Sequence, residues 1–220
     1  MMLLTLSTLV AVAAAEGPCD ILKAAGNPCV AAHSTVRALY AAFDGPLYNL
    51  TRADGHNLDV KVATAGGYAD KAAHDAFCKG TDCFIYNVYD QSPEKNHLGP
   101  RHKVVNASRH PIVAGGKDVY GMWFDAGFGY HVDNTTGVAT GNDPESIYAV
   151  MSGTHFNGGC CFDYGNSESD DHDDGCGTME AISSATRTGT ATPARSPIRR
   201  TRARGRAPIW SRACTTAEVS

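Results

Sequence analysis

Short apolar stretches alternate along this chain with clusters of turn residues, and most of them carry a period of two rather than a helical period. "LYNLTR" (47–52), "LDVKVAT" (58–64), "CFIYNVYDQS" (83–92), "KDVYGMWF" (117–124) and "ESIYAVMSG" (145–153) read as strands. The second of these alternates apolar and polar side chains. The third is the richest in aromatic and β-branched residues. Two short helices are predicted: "VRALYAAF" (36–43) behind a Ser34 or Thr35 cap, and "ADKAAHDAF" (69–77) with Asp70 as its cap. Asp44-Gly45-Pro46 and Gly66-Gly67 punctuate the pattern as turns. No periodic segment is long enough for a helix bundle and no internal repeat stands out. Many short strands between turn signals predict an all-β fold of the sandwich type.

The first fifteen residues, "MMLLTLSTLVAVAAA", are an apolar run ending in small residues, with Ala13-Ala14-Ala15 fitting a cleavage site. They read as a secretory signal peptide, although a basic leading segment is lacking. The run is too short to span a membrane, and no later stretch reaches about 20 apolar residues. Secretion to the extracellular space changes the meaning of the eight cysteines, because disulfides persist in oxidising compartments. Cys19 and Cys29 bracket a small Gly/Pro-containing loop, and Cys78 and Cys83 flank "KGTD"; each is a candidate local pair. Three Asn-x-Ser/Thr sequons, at Asn49, Asn106 and Asn134, are candidate glycosylation sites.

Charge divides the chain in two. Residues 1–182 hold eleven Lys+Arg against twenty-two Asp+Glu, whereas residues 183–220 hold eight Arg, no Lys and one acid, Glu218. The second region has few large apolar residues and cannot bury a core. A nucleic-acid or membrane arm has no reason to exclude Lys, so neither partner is expected. The Arg/Ala/Pro/Thr/Ser/Gly mixture is what a shifted reading frame of GC-rich coding sequence gives. The expected organisation is therefore a signal peptide at 1–15, one domain at 16–182, and an Arg-rich, disordered tail at 183–220 arising from a frame error or a truncation.

Adjacent cysteines raise a separate question in "GGCCFDYGN" (158–166). Neighbouring Cα atoms are about 3.8 Å apart, and ordinary disulfides prefer roughly 4.4–6.8 Å. Cys160 and Cys161 either bond elsewhere or close a strained ring on each other. A Cys160–His155 nucleophile is a third option, less suited to an oxidising compartment. The acidic run 166–180 fails as an EF-hand: with Gly175 at the loop glycine, His172 falls on the third ligand position and Ala181 where the terminal Glu belongs. The histidines show no zinc spacing with the cysteines, so no metal and no cofactor is assigned. Asp163, Glu168 and Glu180 are the carboxylates that a glycosidase pair would draw on.

Four segments carry a family resemblance: "GPCDILKAAGNPCVAAHSTVRALYAAFDGPLY", "TAGGYADKAAHDAFCKGTDCFIYNVYDQS", "YAVMSGTHFNGGCCFDYGNSE" and "GTMEAI". In order and spacing they resemble the α-L-arabinofuranosidase B catalytic domain of glycoside hydrolase family 54, from about Gly17 to Ile182. The resemblance implies a concanavalin A-like lectin/glucanase sandwich, here partial. It implies retaining hydrolysis of terminal α-L-arabinofuranosyl groups in arabinan and arabinoxylan by a secreted monomer. It also implies that Cys160 and Cys161 form a vicinal disulfide against which the bound sugar packs, and it supports the Cys19–Cys29 and Cys78–Cys83 pairs. Cys176 and Cys214 match nothing in the family. The family's nucleophilic Glu lies in an Asp-x-Glu-Asn segment well beyond "MEAI", and its acid, an Asp, lies further on. Neither has a counterpart here, and Glu180 matches an ordinary position. Two expectations follow: an enzyme by descent whose 220 residues are inactive, or a non-catalytic sugar-binding remnant.

Overall fold

The computed structural model describes residues 16–139, 143–152, 162–167, 180–184 and 216–219. The chain opens with a short helix α1 (Pro18–Ala24), then strands β1 (Pro46–Arg52) and β2 (Asn57–Lys61), helix α2 (Lys71–Phe77) and strand β3 (Cys83–Val88). There follow β4 (Gly99–Pro100), β5 (His110–Ala114), β6 (Lys117–Gly121), β7 (Tyr130–His131), β8 (Phe162–Ser167), β9 (Glu180–Ser184) and β10 (Thr216–Val219). They form a three-stranded sheet in the order β2-β1-β3, a five-stranded sheet in the order β4-β7-β10-β8-β9, and the hairpin β5-β6. Every paired strand in these sheets is antiparallel. The result is the expected all-β, partial sandwich with open sheet edges.

The core lies where β1 and β3 meet the rest. Leu47, Tyr48, Leu50, Val60, Ile85, Val88, Leu98, Val105, Val119 and Tyr130 are almost fully buried in one cluster. In β3 the buried side chains are Cys83, Ile85 and Val88, a break in strict alternation. A register shift explains it: Asn49 faces Asn87 but Leu50 faces Ile85, leaving Tyr86 unpaired and half exposed. Tyr130 pins the five-stranded sheet to β3, since its hydroxyl donates to the Ile85 carbonyl at 2.7 Å and accepts from the Val105 N–H at 2.9 Å.

The two local disulfides are present, Cys19–Cys29 and Cys78–Cys83. The second joins the end of α2 to the start of β3. Asp70 caps α2 as the sequence predicts, accepting from the Ala73 N–H at 3.0 Å.

Three expectations need correction. Residues 36–43 are not a helix. The Ser34 hydroxyl does accept from Val36 and Arg37, but the backbone then turns outward for partners. Ala38 N–H donates to Gly67 O, Ala69 N–H to Val36 O, and Cys19 N–H to Leu39 O. Side chains take two more donors, Leu39 N–H going to Gln91 and Ala41 N–H to Asp20. The loop is also pressed between glycines. A Cβ on Gly17 would meet Leu39 O at 2.2 Å, and one on Gly66 (φ +69°) would meet Ala41 O at 2.3 Å. Tertiary contacts thus override a moderate local helix propensity.

Residues 145–152 form no strand. Half-buried and exposed side chains alternate along them, yet among the described residues no ladder partners that backbone, and Val150 is 98% exposed. Conversely, β5 goes unpredicted because Pro111 interrupts its pattern. It is nonetheless paired to β6 through Gly115-Gly116, both at positive φ, a two-residue turn that suits a hairpin. The disordered-tail expectation lies for the most part outside the described residues. Its Thr216–Val219 is a strand, set between β7 and β8.

Leu50 is fully buried at the centre of the three-stranded sheet. Leu50→Ala is expected to cost about 2–5 kcal/mol, read as a lowered urea midpoint with unchanged slope. A loss below about 1 kcal/mol would mean that the site collapses around the smaller side chain.

Candidate functional site

The residues read from the sequence as functional fall in three groups. Cys160 and Cys161, with His155, Glu168, His172, Cys176 and Cys214, lie outside the described residues. Cys161 immediately precedes Phe162, the first residue of β8. Asp163 and Glu180 stand on neighbouring strands, but Asp163 pairs with Ser183 and Glu180 with Asn166. Three rungs separate their backbone positions, about 10 Å along the ladder.

The three sequons occupy different surroundings. Asn134 is exposed in a bend. Asn49 sits mid-strand on β1, its amide donating to Asp59 at 2.8 Å. The Asn106 side chain accepts from the Ser108 N–H at 3.1 Å. Asn106 also lines an open cleft of about 430 Å³ with Phe84, His102, Lys103, Val104, Arg109 and Phe128. Within this rim Arg109 is ion-paired to Asp125 and lies over the Trp123 ring.

Sequence reasoning missed the densest polar network. Asp90, at the end of the "NVYDQS" strand, is 1% exposed. Its carboxylate accepts from the Ala32, Ser92 and Asn96 N–H groups at 2.7, 2.8 and 2.8 Å and from the Ser92 hydroxyl at 2.6 Å. The neighbouring side chains extend it. Gln91 accepts from Leu39 N–H and donates to Arg37 O. Asn96 donates to the Val30 and Thr136 carbonyls and accepts from Thr136 N–H. A carboxylate whose two oxygens each meet two donors can be buried; the same carboxylate left short of donors cannot. The signal available in the sequence was an acid placed directly after an apolar strand, followed by Gln and Ser.

Three histidines border these networks, and hydrogen-bond chemistry fixes the tautomer of each. His33 Nε2 lies 2.7 Å from the Asn96 carbonyl, which can only accept, so Nε2 carries the proton. His33 Nδ1 therefore accepts from the Tyr164 hydroxyl at 3.1 Å. His97 Nδ1 accepts from the Asp90 N–H at 2.9 Å. His74 contacts Tyr48 OH at 2.8 Å through Nδ1 and Ser108 Oγ at 3.1 Å through Nε2.

The Ser108–His74 contact resembles half of a nucleophilic dyad, but the proton is on the wrong side. Tyr48 is 1% exposed, and its hydroxyl has its acceptor in His74 Nδ1. Nε2 then donates to Ser108, so His74 offers Ser108 no base. Burial also drives His74 down to about 4, with nearby Asp75 raising it and Lys71 lowering it by smaller amounts. His33 and His97 are likewise held below the usual imidazole range, chiefly by burial. These rings are neutral structural donors and acceptors. Among the described residues, no group of three or more His, Cys, Asp or Glu is placed to hold a metal ion, and no helix is long and apolar enough to cross a membrane.

Residues 18–198 match the family described as "Alpha-L-arabinofuranosidase B, catalytic", so the match runs sixteen residues past Ile182. The chain is 48% identical over 182 residues to a probable α-L-arabinofuranosidase B of Aspergillus terreus, and 46% identical over 188 residues to the α-L-arabinofuranosidase B of Emericella nidulans. These matches cover 76% and 79% of this chain but only 36% and 37% of the relatives. The chain thus spans little more than a third of their length. Among solved structures it resembles an arabinofuranosidase complexed with arabinofuranosyl-α-1,2-xylobiose, with a TM-score of 0.73 and 45% identity, covering 76% of this chain and 38% of that one. A family 54 α-L-arabinofuranosidase soaked with a cyclic sulfate inhibitor gives the same values.

Two outcomes are expected here. Asp90→Asn replaces one acceptor oxygen with an NH₂ aimed at N–H donors and should cost about 2–3 kcal/mol or more, read from urea midpoints; an unchanged midpoint would refute the hub. His74 binds its proton more weakly folded than unfolded, so its contribution is complete above about pH 6.5. That contribution is lost as pH falls toward about 4. NMR of the imidazole carbons should find His74 neutral at pH 5.5, and a protonated ring at that pH would contradict the burial argument.

Proposed function

The chain belongs to the α-L-arabinofuranosidase B catalytic family, and on that premise we propose that it descends from a secreted, retaining glycosidase. Its substrates are terminal α-L-arabinofuranosyl groups of plant cell-wall arabinan and arabinoxylan, bound by a monomer. The observation that carries this reading is the 48% identity sustained over 182 residues, through the segments that build the Asp90 network and enter β8. The complex of a similar structure with arabinofuranosyl-α-1,2-xylobiose supports the substrate class. In this reading Cys160 and Cys161 are joined to each other and offer the sugar a flat, apolar surface. The signal peptide is removed after about residue 15, and Asn134, exposed in its bend, accepts a glycan most readily. Asn49 and Asn106 remain candidates.

The family resemblance assigns the role of nucleophile or acid to no residue of the quoted segments. Asp163 and Glu180 stand three rungs apart on the β8–β9 ladder. We therefore propose that this chain is an arabinofuranosidase by descent whose 220 residues do not cleave arabinofuranosyl groups. A non-catalytic sugar-binding remnant that uses the Cys160–Cys161 pair is the second reading.

The test is incubation of the purified chain with an aryl α-L-arabinofuranoside, alongside a titration with arabinose. No release of the aryl alcohol above the uncatalysed rate, together with saturable arabinose binding, is the expected outcome. Turnover would refute the inactive reading and return Glu180 to candidacy. Absence of both turnover and binding would leave a stapled fold with no sugar role.

A further inference from the structure

Asn106 lies opposite Phe84 of β3 in an antiparallel bridge. Ile85 N–H donates to Val105 O at 3.1 Å, and Ala107 N–H donates to Cys83 O at 2.9 Å. These bonds flank the Phe84–Asn106 pair rather than join it, which makes it the narrow kind of cross-strand pair, whose side chains stand closest. Val105 and Ala107 are fully buried on one face, so alternation turns Asn106 to the other. Buried Cys83 and Ile85 turn Phe84 the same way. Both side chains line the open cleft of about 430 Å³, with Phe128 as a second ring and the cationic Lys103 and Arg109 beside them. The Asn106 carboxamide is half used. Its Oδ1 accepts from the Ser108 N–H at 3.1 Å, while among the described residues its Nδ2 has no hydrogen-bond partner. That nitrogen is the atom that glycosylation consumes, and Asn106-Ala107-Ser108 is a sequon.

We propose that Asn106 carries an N-linked glycan and that the cleft is its seat, the first N-acetylglucosamine laying a C–H face on the Phe84 ring. This rests on the secreted reading of the chain. Attachment forms a bond from Asn106 Nδ2 to C1 of the sugar and breaks the C1–O bond to a lipid pyrophosphate donor; one Nδ2 proton leaves with the pyrophosphate. The remaining amide keeps one N–H, and Oδ1 keeps its bond from Ser108. A sugar joined at the narrow pair starts beside Phe84, so its packing on the ring costs little further ordering. The ring supplies apolar area, and Lys103 and Arg109 bring donors within the same cleft for the acetamido carbonyl and the hydroxyls. Asn134, exposed in its bend, gives the contrast: a glycan there is expected to stay in solvent.

The test expresses the full 220-residue chain in a yeast secretory host. Glycopeptide mass spectrometry reads occupancy at Asn49, Asn106 and Asn134. Endoglycosidase trimming then leaves a single N-acetylglucosamine at each occupied site. By NMR, the protons of the Asn106 sugar should be shifted upfield by the Phe84 ring, and those of an Asn134 sugar should not. In urea, the trimmed chain should show a folding constant about fivefold larger than the same chain from cells whose lipid-linked donor is blocked. Phe84→Leu should abolish both the shift and the gain. Secretion with Asn134 occupied and Asn106 empty would overturn the proposal and leave the secreted reading standing. An occupied Asn106 with unshifted sugar protons, or a gain that survives Phe84→Leu, would overturn the seat. Retention of the chain with all three sequons empty would overturn the secreted reading and the proposal together. If Phe84→Leu fails to fold, the sugar proton shifts of the parent decide alone.

Discussion

A carboxylate buried to 1% exposure has to be met by donors, and Asp90 is met by four. That requirement organises the first half of the chain. Three of the donors are backbone N–H groups from segments 58 residues before and two and six residues after it. Each segment must therefore stay where a charge in low dielectric demands. The following Gln91 reaches the 37–39 loop, and Asn96 reaches Thr136. A patchwork of loops thus packs against β3 with few regular ladders of its own.

The same economy shapes the chemistry. Histidine near neutral pH is a common source of acid and base, yet His33, His74 and His97 each have a fixed tautomer and a weakened hold on a second proton. Their rings join elements: β8 to the first loop, α2 to β1, and the end of β3 to the turn after it. Among the described residues these contacts tie Tyr164 on β8 to the loop that carries His33. The chain covers little more than a third of the length of the relatives it matches.

Elements whose information is local were legible in the sequence. Asp70 capping α2, the dense β3 run and both short-range disulfides depend on residues within about ten positions of each other. The 36–43 segment misled because its backbone donors and acceptors are claimed by Gly67, Ala69, Gln91, Asp20 and Cys19, none of them visible to a periodicity argument. Residues 145–152 kept their alternation but found no ladder partner among the described residues, and alternation alone does not supply one. Pro111 hid β5 even though Gly115-Gly116 announced its turn. The family resemblance points to the Cys160–Cys161 pair, which lies outside the described residues. The Asp90–His33–Tyr164 chain went unseen, because a lone Asp, His and Tyr far apart in sequence carry no spacing signal.

Amide hydrogen exchange on the intact chain addresses the central claim most directly. If the Asp90 carboxylate is the constraint on which the loops depend, the Ala32, Ser92 and Asn96 amides should exchange as slowly as the β1–β3 ladder amides, and should lose that protection together in Asp90→Asn. Exchange of these three amides at the rate of open loops, or protection unaffected by the substitution, would contradict the account.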